Sequence, residues 1–172
     1  MGIRTGQIAG KVRYVMEEKL SFDLMGIQSC QRNRYPLLFV DKIIEAIPSK
    51  SARGIKNFTF NEWYFPAHFD DDPNVPGFVL VECLVQTFLM TFLCMEEYRG
   101  METSFVSINN VKFKKKVVPG DRLEMDARLD SFRRGVAKGH VDAFVDGIFT
   151  CSADFVVAIT EVLDQYKPKE TE

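Results

Sequence analysis

The sequence predicts an α+β domain in which a curved antiparallel sheet wraps around one long central helix. Three observations lead there. An apolar run, FVLVECLVQTFLMTFLCM over residues 78–95, follows Pro76-Gly77 and is closed by Gly100, the punctuation of a helix start and stop. Four segments rich in branched and aromatic residues come after it, separated by the turn signals Pro119-Gly120-Asp121, Arg134-Gly135 and Asp146-Gly147. Two further strand-like segments precede it. A single apolar helix among antiparallel strands can bury its surface only by having the sheet fold over it.

Each element follows in order. Residues 1–32 read as an N-terminal extension, mixing charges with scattered apolar side chains (Val12, Val15, Met16, Leu20, Phe22, Leu24). A weakly amphipathic helix is expected in part of it. The domain proper is taken as 33–172. Pro36 forces an extended backbone at Tyr35. LLFVDKIIEAI, residues 37–47, then has the branched composition of a strand, stopped by Pro48-Ser49. A second strand is expected over 52–59. FNEWYFPAHFDDDPNVPG, residues 60–77, carries three prolines and three successive aspartates and reads as an ordered loop. The helix is expected over about 78–98. TSFVSINNVKFKKKV, DRLEMDARLDSF, VAKGHVDAFVDG and IFTCSADFVVAIT are the four strands that follow. Asp146-Gly147 between Phe144-Val145 and Ile148-Phe149 marks a tight hairpin. The tail after Thr160 is polar and is expected to fray. No internal repeat is visible.

Composition removes several function classes. A chain of 172 residues suits one domain with a sizeable core. Its 22 basic and 24 acidic residues give a net charge of -2, so no global field draws it to nucleic acid or an anionic membrane. The apolar run carries Glu82 and Gln86 and is short for a membrane span, which favours a buried helix. The opening MGIRTGQIAGKVRYVMEEKL has no continuous apolar stretch of a secretory signal, and Gly6 breaks the myristoylation pattern. Cys30, Cys83, Cys94 and Cys151 are widely spaced, with no C-x-x-C and only two histidines to complete a zinc site. They are expected as reduced, buried thiols of a cytoplasmic protein, with no metal bound.

His68, Pro76-Gly77, Glu82 and Gln86 carry the chemistry. Glu82 sits one turn into the apolar helix, and Gln86 at i+4 shares its face. Burial of a carboxyl group disfavours its charge, raises its pKa and keeps it a proton donor near neutrality. His68 lies in the preceding loop, and an imidazole is the natural general base at that pH. Gly77 starts the helix, whose first N–H groups are unpaired and positively polarised, so a carbonyl can be held there. Base, carbonyl polarisation and acid are what β-elimination from an acyl thioester requires. Gln86 can orient Glu82 by hydrogen bonding. Alone, a loop histidine is more often a packing residue, and a helical Glu is as readily a paired buried charge or a solvent-facing one; the combination around Pro76-Gly77 lifts both.

At these residues the sequence resembles the β-hydroxyacyl-acyl carrier protein dehydratases of type II fatty-acid synthesis. RYPLLFVDKI resembles the family's opening R-Y-P segment, AHFDDDPNVPG keeps its H-F-x3-P-x2-P-G spacing, and VECLVQ matches its E-x3-Q. FVSINNVKFKKKVVPGD and RRGVAKGHVDAFVDG are similar to later family stretches, with coverage over about residues 33–160. The resemblance implies a hot-dog fold and a homodimer joined by continuous sheet, or a hexamer built as a trimer of dimers. It implies a site shared between subunits, with His68 as base from one and Glu82 as acid from the other, near Pro76, Gly77 and Gln86. The reaction implied is reversible dehydration of a 3-hydroxyacyl thioester on acyl carrier protein or coenzyme A, without cofactor. Ala67 stands where the family usually has Gly. The acidic loop Asp70-Asp71-Asp72, with Trp63-Tyr64-Phe65 and Asp72-Pro73, is similar to the related dehydratase/isomerase branch. That branch uses Asp where this chain has Glu82, which favours the plain dehydratase.

Other residues fall outside this constellation. His140 is expected as a surface residue without an acidic partner placed for it in sequence. The basic residues Lys112, Lys114, Lys115 and Lys116 form either a solvated strand end or, with Arg133, Arg134 and Lys138, a docking patch for an acidic carrier. Two rival functions use the same fold: an acyl thioesterase, and a non-catalytic acyl-binding partner subunit. Retention of both His68 and Glu82 speaks against the second.

Overall fold

The computed structural model describes residues 18–69 and 71–166. Seven strands form one antiparallel sheet: β1 Leu20–Phe22, β2 Lys42–Ile47, β3 Ser51–Asn57, β4 Thr103–Phe113, β5 Arg122–Arg133, β6 Val136–Val145 and β7 Ile148–Ile159. Three helices accompany it: α1 Leu24–Cys30, α2 Gly77–Leu93 and α3 Thr160–Asp164. The strand order is β1-β2-β3-β5-β6-β7-β4, and α2 packs against β2, β3, β5, β6 and β7. This is the hot-dog arrangement, with the sheet closed over the helix.

The sequence pattern explains the closure. In β6, Ala137, Gly139, Val141, Ala143 and Val145 alternate inward, while Lys138, His140 and Asp142 point outward. The inward row is small, which admits the aromatic ring of Phe88 from α2; a Cβ on Gly139 would lie 2.4 Å from it. Phe88 stacks on Phe155 and Phe92 on Phe132, so α2 is fixed to the sheet by paired rings. Arg134-Gly135 and Asp146-Gly147 both hold positive φ, the geometry of two-residue hairpin turns.

Several expected boundaries shift for physical reasons. The strand over 37–47 shortens to Lys42–Ile47, because its first half bonds to α2 instead of a strand: Gln86 Oε1 accepts from Phe39 N–H at 2.8 Å, and Gln86 Nε2 donates to the Leu37 carbonyl at 2.7 Å. The next strand spans Ser51–Asn57, and Phe58 N–H turns to the Asp121 carbonyl. The long helix stops at Leu93. Met95 is extended, and Glu96–Tyr98 form a separate 3-10 turn. The tail does not fray at once, since Thr160–Asp164 make a helical turn whose Val162 and Leu163 close on Gly135.

Residues 20–30 belong to the same body. β1 pairs with β2, and Ile27 and Cys30 of α1 are fully buried in the core. Val12, Val15, Met16 and the residues read for a signal or lipidation lie outside the described segment, as does the end of the tail. All four cysteines are buried and free. Among the described residues no helix is long and apolar enough to cross a membrane.

Candidate functional site

Pro76 caps α2 from its N-terminal side, and the first helical bonds run from Val79 and Leu80 N–H to its carbonyl. The N–H groups of Gly77 and Phe78 therefore stand ahead of the helical ladder, at the positive end of its dipole. Gly77 also lets the half-exposed Phe113 ring sit close to the helix start. A Cβ there would meet the Phe113 ring at 3.2 Å.

Glu82 is half-buried one turn on. Desolvation raises its pKa above the ordinary carboxylate value, and the bond from Gln86 pulls in the opposite direction. Gln86 is fully buried. Its Nε2 donates to Glu82 Oε1 at 2.7 Å and to the Leu37 carbonyl, while its Oε1 accepts from Phe39. One carboxamide thus fixes the acid and clips the chain at Leu37 and Phe39 to the helix. Asn33 Nδ2 adds a longer bond to Glu82 Oε1 at 3.4 Å. Around the carboxyl lies an apolar cavity of about 420 Å³, walled by Leu37, Phe39, Phe78, Val81, Phe105 and Ile108.

His68 follows the 3-10 turn Phe65–Ala67 and is half-buried. Its Nδ1 lies 3.0 Å from the Asn74 carbonyl, and its ring leans on Phe69, 4.2 Å between centroids. A carbonyl only accepts, so this contact assigns the proton to Nδ1 and leaves Nε2 as the acceptor in the neutral ring. That is the tautomer a general base needs. The loop is tied down by Asn74 Nδ2 donating to the Asp72 carbonyl at 2.8 Å and by Val75 N–H donating to the Val117 carbonyl at 2.8 Å.

Within one chain His68 and Glu82 belong to different surroundings. Glu82 faces the cavity between α2 and β4, whereas His68 lines none of the cavities beside it. Pro76, Gly77 and Gln86 do gather with Glu82 on the first turns of α2. Asn33 was not anticipated. It reaches the acid because Gln86 holds the following residues Leu37 and Phe39 against α2, a contact that no local sequence pattern marks.

The basic residues do not form one patch on a single protomer. Phe113, just before Lys114-Lys115-Lys116, pairs with Cys151, while Val136, just after Arg133-Arg134, pairs with Ala158. Seven strand residues separate the two ends, about 23 Å. Lys116 is also engaged by Asp72. The expectation for His140 is corrected too. Its register partner on β7 is Asp154, and its two ring nitrogens bond Asp154 and Asp142. Burial works against its charge, but the two carboxylates outweigh it and raise its pKa.

Comparison with known proteins adds a family. Residues 32–154 match the model of the FabA-like domain. The chain is 40% identical over 139 residues to a protein named 3-hydroxyacyl-[acyl-carrier-protein] dehydratase FabZ from Anoxybacillus flavithermus, covering 81% of this chain and 98% of that one. It is 44% identical over 121 residues to a FabZ of the same name from Acetivibrio thermocellus, covering 70% and 83%. Among solved structures it is similar in fold to the dehydratase heterocomplex ApeI:P from Xenorhabdus doucetiae, with TM-score 0.68, 11% identity and coverage of 81% and 95%. The Campylobacter jejuni protein Cj0977 aligns with TM-score 0.60 at 15% identity, covering 76% and 82%.

Proposed function

The chain belongs to the FabA-like family, and from that premise we propose that it dehydrates 3-hydroxyacyl thioesters carried on acyl carrier protein, reversibly, to trans-2-enoyl thioesters. The observation that carries this reading is Glu82: a carboxyl group with raised pKa, fixed by Gln86 at the mouth of an apolar cavity. His68 Nε2 takes the α-proton while the N–H groups at Gly77 and Phe78 polarise the thioester carbonyl. The electron pair of the broken C–H bond forms the double bond, and Glu82 protonates the departing hydroxyl, which leaves as water. These groups suffice for the step, and no cofactor enters it.

The site is completed in a homodimer. β4 is an edge strand of eleven residues, with Phe105, Val106, Ile108, Val111 and Phe113 each 39–60% exposed. Such an edge invites a second strand. A two-fold copy pairing β4 antiparallel sets the Phe113 end of one protomer against the Thr103 end of the other. The His68 loop is tied to the strand end beyond Phe113, and the Glu82 cavity is walled by Phe105. The pairing therefore carries His68 of one protomer towards Glu82 of its partner. It also brings Lys114-Lys115-Lys116 towards the partner's Arg133-Arg134 end, rejoining a basic surface for an acidic carrier. Four buried, unpaired thiols suit a reducing cytoplasm.

The test incubates the protein with crotonyl and 3-hydroxybutyryl thioesters while following enoyl absorbance and free thiol together. Interconversion without thiol release is expected. Thiol release without interconversion would replace the dehydratase by a thioesterase.

A further inference from the structure

The loop that carries His68 starts from a buried ion pair that the reaction does not use. Lys56, on β3, is 8% exposed, and lysine is almost never buried without a partner. Its Nζ lies 2.7 Å from Glu62 Oε1 and 3.2 Å from Asp41 Oδ1. Burial works against its charge, but the two carboxylates outweigh it, so its pKa rises and it remains a cation. Asp41 has further donors, since its Oδ2 accepts from Asn57 N–H at 2.7 Å and from Asn57 Nδ2 at 3.2 Å. Loss of Lys56 therefore falls mainly on Glu62.

Glu62 opens a run of turns that ends at the base. Phe65 N–H donates to the Glu62 carbonyl at 3.2 Å, Ala67 N–H to the Tyr64 carbonyl at 3.1 Å and His68 N–H to the Phe65 carbonyl at 3.3 Å. Tyr64 and Phe65 are buried within it. Apolar burial is non-directional, so these rings fix how deep the run sits but not how it is turned. The ion pair at Glu62 has direction. The turn of the run in its place decides whether His68 Nδ1 meets the Asn74 carbonyl, the contact that leaves Nε2 as the acceptor.

We propose that Lys56 is a positioning residue for the base: by holding Glu62 it aims the His68 ring at the Asn74 carbonyl and keeps Nε2 ready to take the α-proton. It lines neither cavity at Glu82. The inference rests on the reading of His68 as the base. A misplacement of about 1 Å in a reacting group can cost about a hundredfold in rate. With Tyr64 and Phe65 still anchoring the run, about tenfold is expected.

The test compares Lys56→Met with wild type in crotonyl thioester hydration and in NMR of the histidine ring nitrogens. The kcat should fall about tenfold with KM within about twofold, because a misplaced base weakens the transition state and leaves ground-state binding alone. At a pH where the ring is neutral, wild-type His68 should carry its proton on Nδ1, and Lys56→Met should mix the two tautomers. The His140 signals, from the far strand β6, should stay in place. Methionine leaves two carboxylates facing an apolar side chain; if that variant does not fold, Glu62→Ala, which leaves Lys56 its bond to Asp41, should show the same loss and the same mixing. A folded variant with the wild-type His68 tautomer overturns the proposal, as does kcat within about twofold of wild type. Equal disturbance of both histidines overturns it too, making Lys56 a general structural contact. Failure of the wild type to hydrate any thioester would instead overturn the reading of His68 as the base, while the tautomer measurement still decides whether Lys56 orients its ring.

Discussion

The two histidines of the chain sit in contrasting settings. His140 is held on the outer face of the sheet between Asp142 and Asp154, and Asp154 takes a further bond from Asn110 at 2.6 Å. His68 has one backbone carbonyl on Nδ1 and a neighbouring phenylalanine ring. By residue type alone, the cluster of a histidine with two aspartates looks the more catalytic. Its partners argue otherwise. Both ring nitrogens of His140 are committed to carboxylates, which favour its cationic form and leave neither nitrogen open to a substrate proton. The carboxyl groups differ in the same sense. Asp154 is lowered by Asn110 and His140, whereas Glu82 is raised by burial. A fully partnered group stabilises the fold; a group left partly unsatisfied beside a cavity can react.

The largest expected effect tests that contrast directly. His68→Ala and Glu82→Gln should each lower turnover by at least about a hundredfold, the scale of losing a positioned base or acid. His140→Gln and Asp154→Asn should stay within about twofold of wild type by the same enoyl assay. Near wild-type turnover in a folded Glu82→Gln protein would reverse the comparison. Mixing the two inactive site variants under subunit exchange should restore part of the activity, because one composite site becomes whole. No recovery despite confirmed exchange would place both groups in one protomer.

A smaller effect is expected at Gln86. Gln86→Leu removes the donor to Glu82 and leaves the Phe39 N–H and Leu37 carbonyl unpaired. Stability should fall by roughly 2 kcal/mol and kcat by about tenfold. The bond from Gln86 lowers the Glu82 pKa, so its loss lets the protonated acid persist to higher pH. The basic limb of the kcat profile should then move upward. A limb that stays in place would make Gln86 a structural clip only.

How much of this was legible in the sequence depends on the range of the interaction. The four late strands, their hairpins and the central helix were readable because periodicity and turn chemistry are local. The strand expected over 37–47 failed in its first half because composition cannot show that Gln86, more than forty residues away, supplies the bonds of Leu37 and Phe39. Residues 20–30 looked like an extension for the same reason: Ile27 and Cys30 find their core through tertiary packing. At the site, Glu82 and Gln86 were fixed by their i, i+4 spacing. Asn33 reaches α2 from another segment, and no spacing rule marks it. His140 was misread on two counts: Asp142 at i+2 shares its strand face and was legible from period-two spacing, whereas Asp154 is its neighbour only through strand register.

The smallest effect separates the two histidines by stability. His140 is raised above its ordinary pKa of 6.5, so its stabilisation is complete below that value and is lost as pH rises through the folded-state pKa. Asp154 is lowered from 3.8, so its share is present above that value and is lost as pH falls through its folded-state pKa. The cluster therefore stabilises most between about pH 4 and pH 6.5. The side chains are 20% and 37% exposed, which screens the attraction and limits it to about 1 kcal/mol. Urea unfolding of wild type and His140→Gln should show that difference at pH 6, and it should narrow by pH 9. Below pH 4 it should narrow again as Asp154 takes its proton. A constant difference across this range would mean that His140 stabilises through packing alone, and the contrast with His68 would then rest on the catalytic variants.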